Sequence, residues 1–305
     1  MKNKDKVFIT VGSAAFNEAG NIKNMLRSVV AQKGRLFEVK EVLVISDGST
    51  DKTVEEAKSM ADKRIRVIDD GKRLGQAARI DQLLQMFKGD ILVLVDADMT
   101  FENASTLKHL IKVFEKDIAL VCGAIRPLPA RTFLEVAINN YIYARELISY
   151  EFDLGKTAYV AHAFLAYSRK YGKSLTIPKN VLNPDAFSYF TCVARGLKVA
   201  YANNAVALYR SPSTIRDHLN QATRHLRGGS QLFKYFSEDL VTSRFRLPFS
   251  LNLKILMYQL LRNPFGYVWL KLLNTYCSLR ARHSLKNLSV RWSTIASSKV
   301  SLKQA

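Results

Sequence analysis

At 305 residues the chain is long enough to bury a sizeable core, in one large domain or in two ordinary ones. Hydrophobic residues make up 48% and charged residues 24%, as in globular proteins. The charge is strongly one-sided, because 46 Lys and Arg outnumber 26 Asp and Glu and give a net charge of +20. Three scattered cysteines are too few for a disulfide framework or a metal cluster, so they favour a reduced, cytosolic setting.

The first 125 residues alternate strand and helix patterns. Short apolar runs predict strands at Val7–Ser13, Glu41–Ile45, Ile65–Ile68, Ile91–Val95 and Ile118–Cys122. Amphipathic patterns predict helices at Asn21–Gln32, Asp51–Asp62, Gln76–Phe87 and Ala104–Glu115. This alternation predicts an α/β fold, with right-handed βαβ units and a mostly parallel sheet flanked by helices.

The middle of the chain continues with fewer, longer elements. Residues 131–152 form a long amphipathic pattern, which predicts a helix packed on the core. Residues 158–168 return to strand character. A further helix is predicted from about Asp185 to Arg195, closed by Gly196 at its C-cap.

Beyond Gly229 the composition changes, so we divide the chain into a main domain at residues 1–229 and a basic helical region at 230–305. Two apolar helices are predicted there, Ser250–Arg262 and Gly266–Arg282, and neither is long enough to span a bilayer. From Leu240 onward Lys and Arg occur eleven times and Asp and Glu not at all.

This one-signed charge indicates an anionic partner, either a lipid surface or nucleic acid. Basic amphipathic helices with aromatic residues favour the surface of a membrane, and no nucleic acid is expected. The alternative is a helical subdomain packed on the main sheet. The side chains expected to insert among lipids are Leu251, Leu256, Leu260, Trp269 and Leu270.

The strand predicted at Ile91–Val95 ends abruptly in two carboxylates, Asp96 and Asp98. Its unbroken apolar run is typical of a strand buried on both faces, so both carboxylates should lie at the edge where open α/β sheets bind ligands. Two carboxylates this close repel each other unless a hard cation such as Mg²⁺ or Mn²⁺ bridges them. Such a cation would in turn carry phosphate oxygens.

Four more segments should meet at the same edge. Polar residues follow the first two strands, as Phe16-Asn17-Glu18 and as Asp47-Gly48-Ser49-Thr50-Asp51. Arg73 and Arg79 flank a helix start opened by glycine, which predicts a contact with a diphosphate. The last segment is Asn183-Pro184-Asp185, at the start of a helix.

Taken in order, these segments resemble the family-2-type inverting glycosyltransferases, which have the nucleotide-sugar-binding GT-A fold. The likeness covers roughly residues 5–229. It rests on Phe16-Asn17-Glu18, Asp47-Gly48-Ser49-Thr50-Asp51, Gly75-Gln76-Ala77, Asp96-Ala97-Asp98, Asp185 and Gln221-Ala222-Thr223-Arg224.

On the donor side, the resemblance implies a role for each matching residue. Phe16 and Glu18 would line the nucleoside pocket, and Asp47 would accept a hydrogen bond from the nucleobase. Asp96 would contact the ribose or share the metal. Asp98 would hold Mg²⁺ or Mn²⁺ against the diphosphate.

On the acceptor side, the resemblance implies that Asp185 is the catalytic base and that Gln221 and Arg224 close over donor and acceptor. Four positions depart from the family pattern, Ala14 and Ser46 on the donor side and Pro184 and His225 on this side. Pro184 stands where a Glu usually precedes the base, and His225 stands where a Trp usually ends the Gln-x-x-Arg motif.

The resemblance therefore implies a metal-dependent transfer of a sugar from a nucleotide-diphosphate sugar to an acceptor hydroxyl, with inversion. Such an enzyme would serve the synthesis of a surface polysaccharide, a glycolipid or a lipid-linked glycan, and its expected place is the cytoplasmic side, peripheral on the inner face of the cell membrane. Two alternatives remain open. One is a sugar-phosphate nucleotidyltransferase, and the other is a non-enzymatic protein that binds anionic lipid or nucleic acid.

Overall fold

The computed structural model describes residues 6–115, 117–151, 159 and 162–283. The strands are β1 Val7–Ala15, β2 Phe37–Ser46, β3 Ile65–Ile68, β4 Ile91–Val95, β5 Thr100–Phe101, β6 Ile118–Pro127, β7 Phe164–Ser168 and β8 Lys198–Tyr209. The helices are α1 Ile22–Val30, α2 Thr53–Lys58, α3 Gln76–Met86, α4 Thr106–Lys112, α5 Phe133–Glu151, α6 Arg169–Ser174, α7 Pro184–Ala194, α8 Ile215–Leu232, α9 Glu238–Phe245, α10 Phe249–Arg262 and α11 Pro264–His283.

All the described strands form one sheet in the order β3-β2-β1-β4-β7-β6-β8-β5. The first four strands of this order run parallel to one another, as the βαβ pattern predicted. β7 lies antiparallel between β4 and β6, and the short edge strand β5 is antiparallel to β8. The prediction of a mostly parallel sheet is thus confirmed, and the antiparallel insertion of β7 joins the β1–β4 half to the β6–β8 half.

The unbroken apolar run of β4 is buried on both faces of the sheet. Leu92 and Leu94 point into the core cluster beneath α3, α6 and α7, while Val93 and Val95 point into the cluster beneath α1 and α4. Alternation along a strand sends successive side chains to opposite faces, so a strand covered on both sides must be apolar throughout. The first hydrophilic residue after such a run necessarily marks the edge of the sheet.

The C-terminal helices α10 and α11 pack against α5, and α11 also packs against α8. The predicted division at residue 229 falls inside α8, which continues to Leu232. Leu232, Val241 and Leu251 belong to the same core cluster as the sheet residues, so α10 is anchored to the main body. Within the described residues, no helix combines the length and the hydrophobicity needed to cross a membrane. Four of the eleven basic residues after Leu240 lie beyond residue 283, outside the described residues.

Candidate active site

A cleft opens at the carboxyl edge of the parallel strands. Phe16, Asp47 and Asp96 are the residues that directly follow β1, β2 and β4, which lie side by side in the sheet. The cleft is open to solvent and is lined by Ala14, Ala15, Phe16, Glu18, Asp47, Gln76, Asp96, Ala97 and Asp98. The structure therefore brings together Phe16, Glu18, Asp47, Asp96 and Asp98, whereas Arg73 and Arg79 are not among the lining residues.

The loops after β1 and β2 are tied to each other by side chains of the two motifs. Asn17 adopts a positive φ of 52°, and its Oδ1 accepts a hydrogen bond of 2.8 Å from the backbone N–H of Thr50. The backbone N–H of Glu18 donates to Oγ1 of Thr53 at 2.6 Å. Asparagine is among the few residues that tolerate this backbone conformation, and its short amide bonds locally. These contacts hold Phe16 and Glu18 at the mouth of the cleft.

The ring of Phe16 is already in contact with a cation. The guanidinium carbon of Arg73 lies 3.1 Å from the centre of the Phe16 ring. A planar guanidinium stacks on an aromatic face through cation–π attraction. A nucleobase that stacks on the same face of Phe16 must displace Arg73.

Asp47 is buried and receives several hydrogen bonds from the segment that precedes α3. Its Oδ1 accepts from the backbone N–H groups of Leu74 at 2.7 Å and Gly75 at 3.0 Å, and from Nε of Arg79 at 3.1 Å. Gly75 has a φ of 94°, a conformation that side chains rarely allow, and this turn aims the start of α3 at Asp47. Oδ2 of Asp47 shares the backbone N–H of Gly75 at 3.1 Å, and an oxygen with two lone pairs keeps one position there for a further donor.

Arg79 is enclosed by protein partners. Its side chain has no exposed surface, and its guanidinium pairs with Asp47 and, through both terminal nitrogens, with Asp70. It also donates to the backbone carbonyl of Lys72. Because these partners occupy the guanidinium in this arrangement, its contact with a diphosphate stays a prediction. Arg79 instead holds the loop from Asp70 to Gly75 against Asp47.

This placement gives a prediction about stability. Replacing Arg79 with methionine should lower the free energy of unfolding by about 3 kcal/mol, because the buried side chain of Asp47 would lose its ion-pair partner. Chemical denaturation of the unliganded protein measures the change. Arg64→Met is the matched control, since Arg64 pairs with Asp62 at the partly exposed surface and its loss should cost at most about 1 kcal/mol. Equal stability of the two variants, with donor binding lost only in Arg79→Met, would instead support the diphosphate contact.

Acidic groups converge at the bottom of the cleft around Asp96. Burial raises the pKa of Asp96 well above its usual value, and the nearby charges of Asp98, Asp185 and Glu18 raise it further. The positive charge of Arg224 acts in the opposite direction. Burial and the neighbouring carboxylates thus disfavour ionisation of Asp96, and a cationic ligand at this site would favour it.

Asp185 lies in the first turn of α7. Asn183 caps this helix by accepting a hydrogen bond of 3.2 Å from the backbone N–H of Ala186, and Pro184 occupies the first turn, where its missing N–H costs nothing. The departure from the family pattern at Pro184 thus suits the start of the helix. Burial raises the pKa of Asp185 to about 6, and the charge of Arg224 partly opposes this.

Helix α8 carries Gln221 and Arg224, which are three residues apart and therefore lie on one face. Arg224 donates from Nη2 to Oε1 of Gln76 at 3.0 Å, and Gln76 donates from Nε2 to Oδ1 of Asp96 at 3.2 Å. Arg224 also donates to the backbone carbonyl of Leu182 at 3.3 Å. Gln76 therefore joins α8 to the end of β4, a role that its place in the Gly75-Gln76-Ala77 motif alone did not assign.

The family model of glycosyl transferase family 2 matches residues 10–174. The poly-beta-1,6-N-acetyl-D-glucosamine synthase of Staphylococcus aureus (strain MSSA476) is 26% identical over 249 residues, covering 78% of this chain and 59% of that protein. The same enzyme from strain COL matches over the same length with the same identity. The chain thus spans about three fifths of the length of these curated relatives.

Two solved structures share the fold of this chain. The mannosyltransferase PcManGT from Pyrobaculum calidifontis, in complex with GDP-Man and Mn²⁺, has a TM-score of 0.60 and 17% identity over 93% of this chain and 77% of that one. The glucosyl-3-phosphoglycerate synthase from Mycobacterium tuberculosis, with Mn²⁺, UDP and glucosyl-3-phosphoglycerate, has a TM-score of 0.52 and 22% identity over 75% of this chain and 79% of that one. The predicted GT-A-like fold is confirmed. Because the family model covers more than half of its length, the chain belongs to glycosyl transferase family 2.

Proposed function

We propose that this protein transfers a sugar from a nucleotide-diphosphate sugar to an acceptor hydroxyl, with inversion at the anomeric carbon. The observation that carries the proposal is the position of Asp96, which lines the cleft together with Asp98 and interacts electrostatically with Asp185 and with the opposing charge of Arg224. Membership of glycosyl transferase family 2 supports the reaction class. The polysaccharide synthases among the relatives support an acceptor that is itself a glycan or a lipid-linked glycan.

The residues of the cleft fit a divalent cation. Asp96 and Asp98 supply carboxylate oxygens, the ligands preferred by Mg²⁺ and Mn²⁺, and both line the cleft. Among the described residues, no group of three or more acidic, His or Cys side chains is arranged to hold a metal by itself. Substrate phosphate oxygens would complete the ligand set, as Mg²⁺ sites commonly require. When bound, the ion would neutralise the diphosphate leaving group.

The protein's own groups account for the remaining steps. Phe16 and Glu18 line the nucleoside side of the cleft, and Asp47 offers its remaining acceptor position to the nucleobase. Asp185 takes the proton from the acceptor hydroxyl as its oxygen attacks the anomeric carbon on the side opposite the diphosphate. The positive charge of Arg224, which Gln76 positions, stabilises the charge that develops on the leaving group. A single displacement of this kind inverts the configuration.

The two alternatives are less well supported. A nucleotidyltransferase of the sugar-phosphate type would need a glycine-rich, arginine-containing loop after β1, whereas this loop reads Ala14-Ala15-Phe16-Asn17-Glu18. A non-enzymatic binding protein would account for the net charge of +20 but not for the acidic cleft. We retain the glycosyl transfer.

We propose that the protein acts at the inner face of the cell membrane and that anionic lipid is its partner there. The support is the run of eleven basic and no acidic residues after Leu240, together with exposed apolar side chains on α10 and α11. Basic side chains near an anionic surface contribute about 1 kcal/mol each, less as salt screens them.

The test of the reaction is release of nucleoside diphosphate from a panel of UDP- and GDP-sugars, with Mn²⁺ or Mg²⁺ and short glycan acceptors. We expect one donor to be consumed in proportion to glycosylated product, and NMR of the product should show the anomeric configuration opposite to that of the donor. Retention of configuration would refute the single displacement. Release of inorganic pyrophosphate from a nucleoside triphosphate and a sugar phosphate would establish the nucleotidyltransferase instead.

The pH dependence of turnover follows from the raised pKa of Asp185. The base must be ionised to accept a proton, so kcat/KM, which reports the unliganded enzyme, should rise with pH through about 6, the pKa that burial gives to Asp185. The stability of the unliganded protein should change in the opposite sense. Because the folded-state pKa lies above the usual value of 3.8, folding is favoured at low pH and the contribution is lost as pH rises through about 6. Measurements of kcat/KM and of unfolding over this range check both signs, and a flat kcat/KM profile would contradict the assignment.

A further inference from the structure

The two C-terminal helices expose a continuous row of large apolar side chains. On α10 these recur at every fourth position from Phe249 to Leu261, and on α11 they recur at steps of three or four from Phe265 to Leu279. Phe249, Leu261 and Phe265 are 80–82% exposed, far more than isolated surface hydrophobics require. We call this row the outer stripe.

The opposite faces of both helices are fixed to the body of the protein. Leu251 and Ile255 of α10 are buried in the main core cluster, and the backbone carbonyl of Gln259 accepts a hydrogen bond of 3.2 Å from Nδ2 of Asn140. On α11, Leu270 packs against α5. The outer stripe therefore faces away from the protein. The predicted insertion of Leu251 and Leu270 into lipid was wrong, because these side chains are the ones that hold the helices in place.

The charge beside the outer stripe has one sign. Lys254, Arg262, Lys271 and Arg280 are exposed on the same two helices, which carry no acidic residue. A second copy of this chain on the stripe would bring these cations together with no carboxylates on the helices to pair with them. Anionic lipid, in contrast, matches both the apolar row and the charge that borders it.

We propose that α10 and α11 lie flat on an anionic phospholipid bilayer, with the outer stripe inserted among the acyl chains and the basic side chains at the headgroups. This inference rests on the proposed membrane location and adds the surface that makes the contact. The two helices, of 14 and 20 residues, would lie parallel to the bilayer surface and would not cross the bilayer.

A direct contact joins α11, the proposed membrane-facing helix, to α8, the helix that carries Arg224. Oδ1 of Asn274 on α11 lies 2.9 Å from Nε2 of His218 on α8. Arg224 follows His218 by six residues on α8, a distance of roughly 9 Å along the helix. The helix that contributes Arg224 to the cleft is thus directly attached to the helix that contacts the bilayer.

The experiment is sedimentation of the full chain with vesicles, without any nucleotide sugar. The vesicles contain about three parts phosphatidylcholine to one part phosphatidylglycerol, or phosphatidylcholine alone. We expect binding to the anionic vesicles, only part of which is released by about 0.5 M NaCl. Leu261→Ser combined with Phe265→Ser should weaken this binding roughly tenfold or more at every salt concentration. Leu36→Ser combined with Leu197→Ser is the matched control, because both leucines are exposed elsewhere, and it should bind as the wild type does.

The outcomes separate the two proposals. If the wild type and the Leu261→Ser, Phe265→Ser variant (the stripe variant) bind equally well, the outer stripe is not the surface that contacts the bilayer, and the membrane location stands. If the wild type does not bind, both fail, while glycosyl transfer is untouched because it is measured separately. If the wild type is a dimer in solution and the stripe variant is a monomer, the outer stripe binds a second copy of this chain instead.

A second readout uses Leu261→Cys labelled with a polarity-sensitive dye. The labelling is selective because Cys122, Cys192 and Cys277 are buried. Its emission should shift to the blue on anionic vesicles, and that of labelled Leu197→Cys should not.

Discussion

Replacing Asp98 with asparagine is expected to remove the stabilisation that Mn²⁺ or Mg²⁺ gives to the nucleotide complex and to lower turnover by roughly 10³-fold. The expected loss corresponds to several kcal/mol of charge stabilisation on the diphosphate, and each factor of ten is about 1.4 kcal/mol. Without ligands the variant should be at least as stable as the wild type, because removing the charge at position 98 relieves the repulsion that raises the pKa of Asp96.

Thermal unfolding with nucleoside diphosphate, with and without the metal, measures the binding part of this effect. A ligand at about 100 times its dissociation constant adds about 2.7 kcal/mol of stability, and the metal-dependent share of that gain should vanish in Asp98→Asn. Asp117→Asn is the matched control, since Asp117 makes an exposed ion pair with Lys198 far from the cleft. An Asp98→Asn variant that keeps the full metal-dependent shift and normal turnover would place the metal elsewhere.

The position of Asp96 could be predicted because burial on both faces of a sheet requires an unbroken run of apolar residues, which is visible in the sequence. A strand covered on both faces must be apolar throughout, so the end of the run at Val95 also marks the edge of the sheet. The same reasoning placed Phe16 and Asp47 at that edge, since parallel strands end together. These predictions depend on the local pattern and on the general geometry of α/β sheets, and both are visible along the chain.

No local sequence pattern indicates which residues will pair with a charged side chain. Arg79 was predicted to face a diphosphate because a basic residue in the first turn of a helix ordinarily faces solvent or ligand. The structure encloses it between Asp47 and Asp70, which come from separate loops and meet Arg79 only after β2 and α3 have packed. Gln76 was overlooked for a related reason. Its two hydrogen-bond partners are distant in sequence, since Arg224 lies 148 residues after it and Asp96 lies 20 residues after it.

The sequence also could not predict which face of each C-terminal helix packs against the protein. Both α10 and α11 carry apolar residues around much of their circumference, so periodicity alone could not distinguish the face that packs on α5 from the face that remains exposed. The packing of Leu251 and Leu270 against the body settles which face is which. For such helices the sequence predicts the presence of an amphipathic surface but not its direction.

Replacing Asp185 with asparagine is expected to lower turnover by roughly 10²–10⁴-fold, the range that a general base contributes, with little change in donor affinity. The amide has nearly the same size but cannot accept the proton of the acceptor hydroxyl. Two further consequences distinguish a base from a structural carboxylate. The residual activity should no longer rise with pH through about 6. The fall in stability as pH rises through about 6 should also disappear, because the amide cannot ionise in its buried position.

The competing explanation is that Asp185 serves only as an acidic residue in the first turn of α7, where the helix dipole favours negative charge. Glu238→Gln in the first turn of α9 is the matched control, because Glu238 is exposed and has no part in the cleft. It should change stability by less than about 1 kcal/mol and leave turnover unchanged. If Asp185→Asn behaves like this control, with near-normal turnover and an intact pH profile, the proton is taken by another carboxylate of the cleft, and Glu18, which is also near Asp96, becomes the next residue to replace.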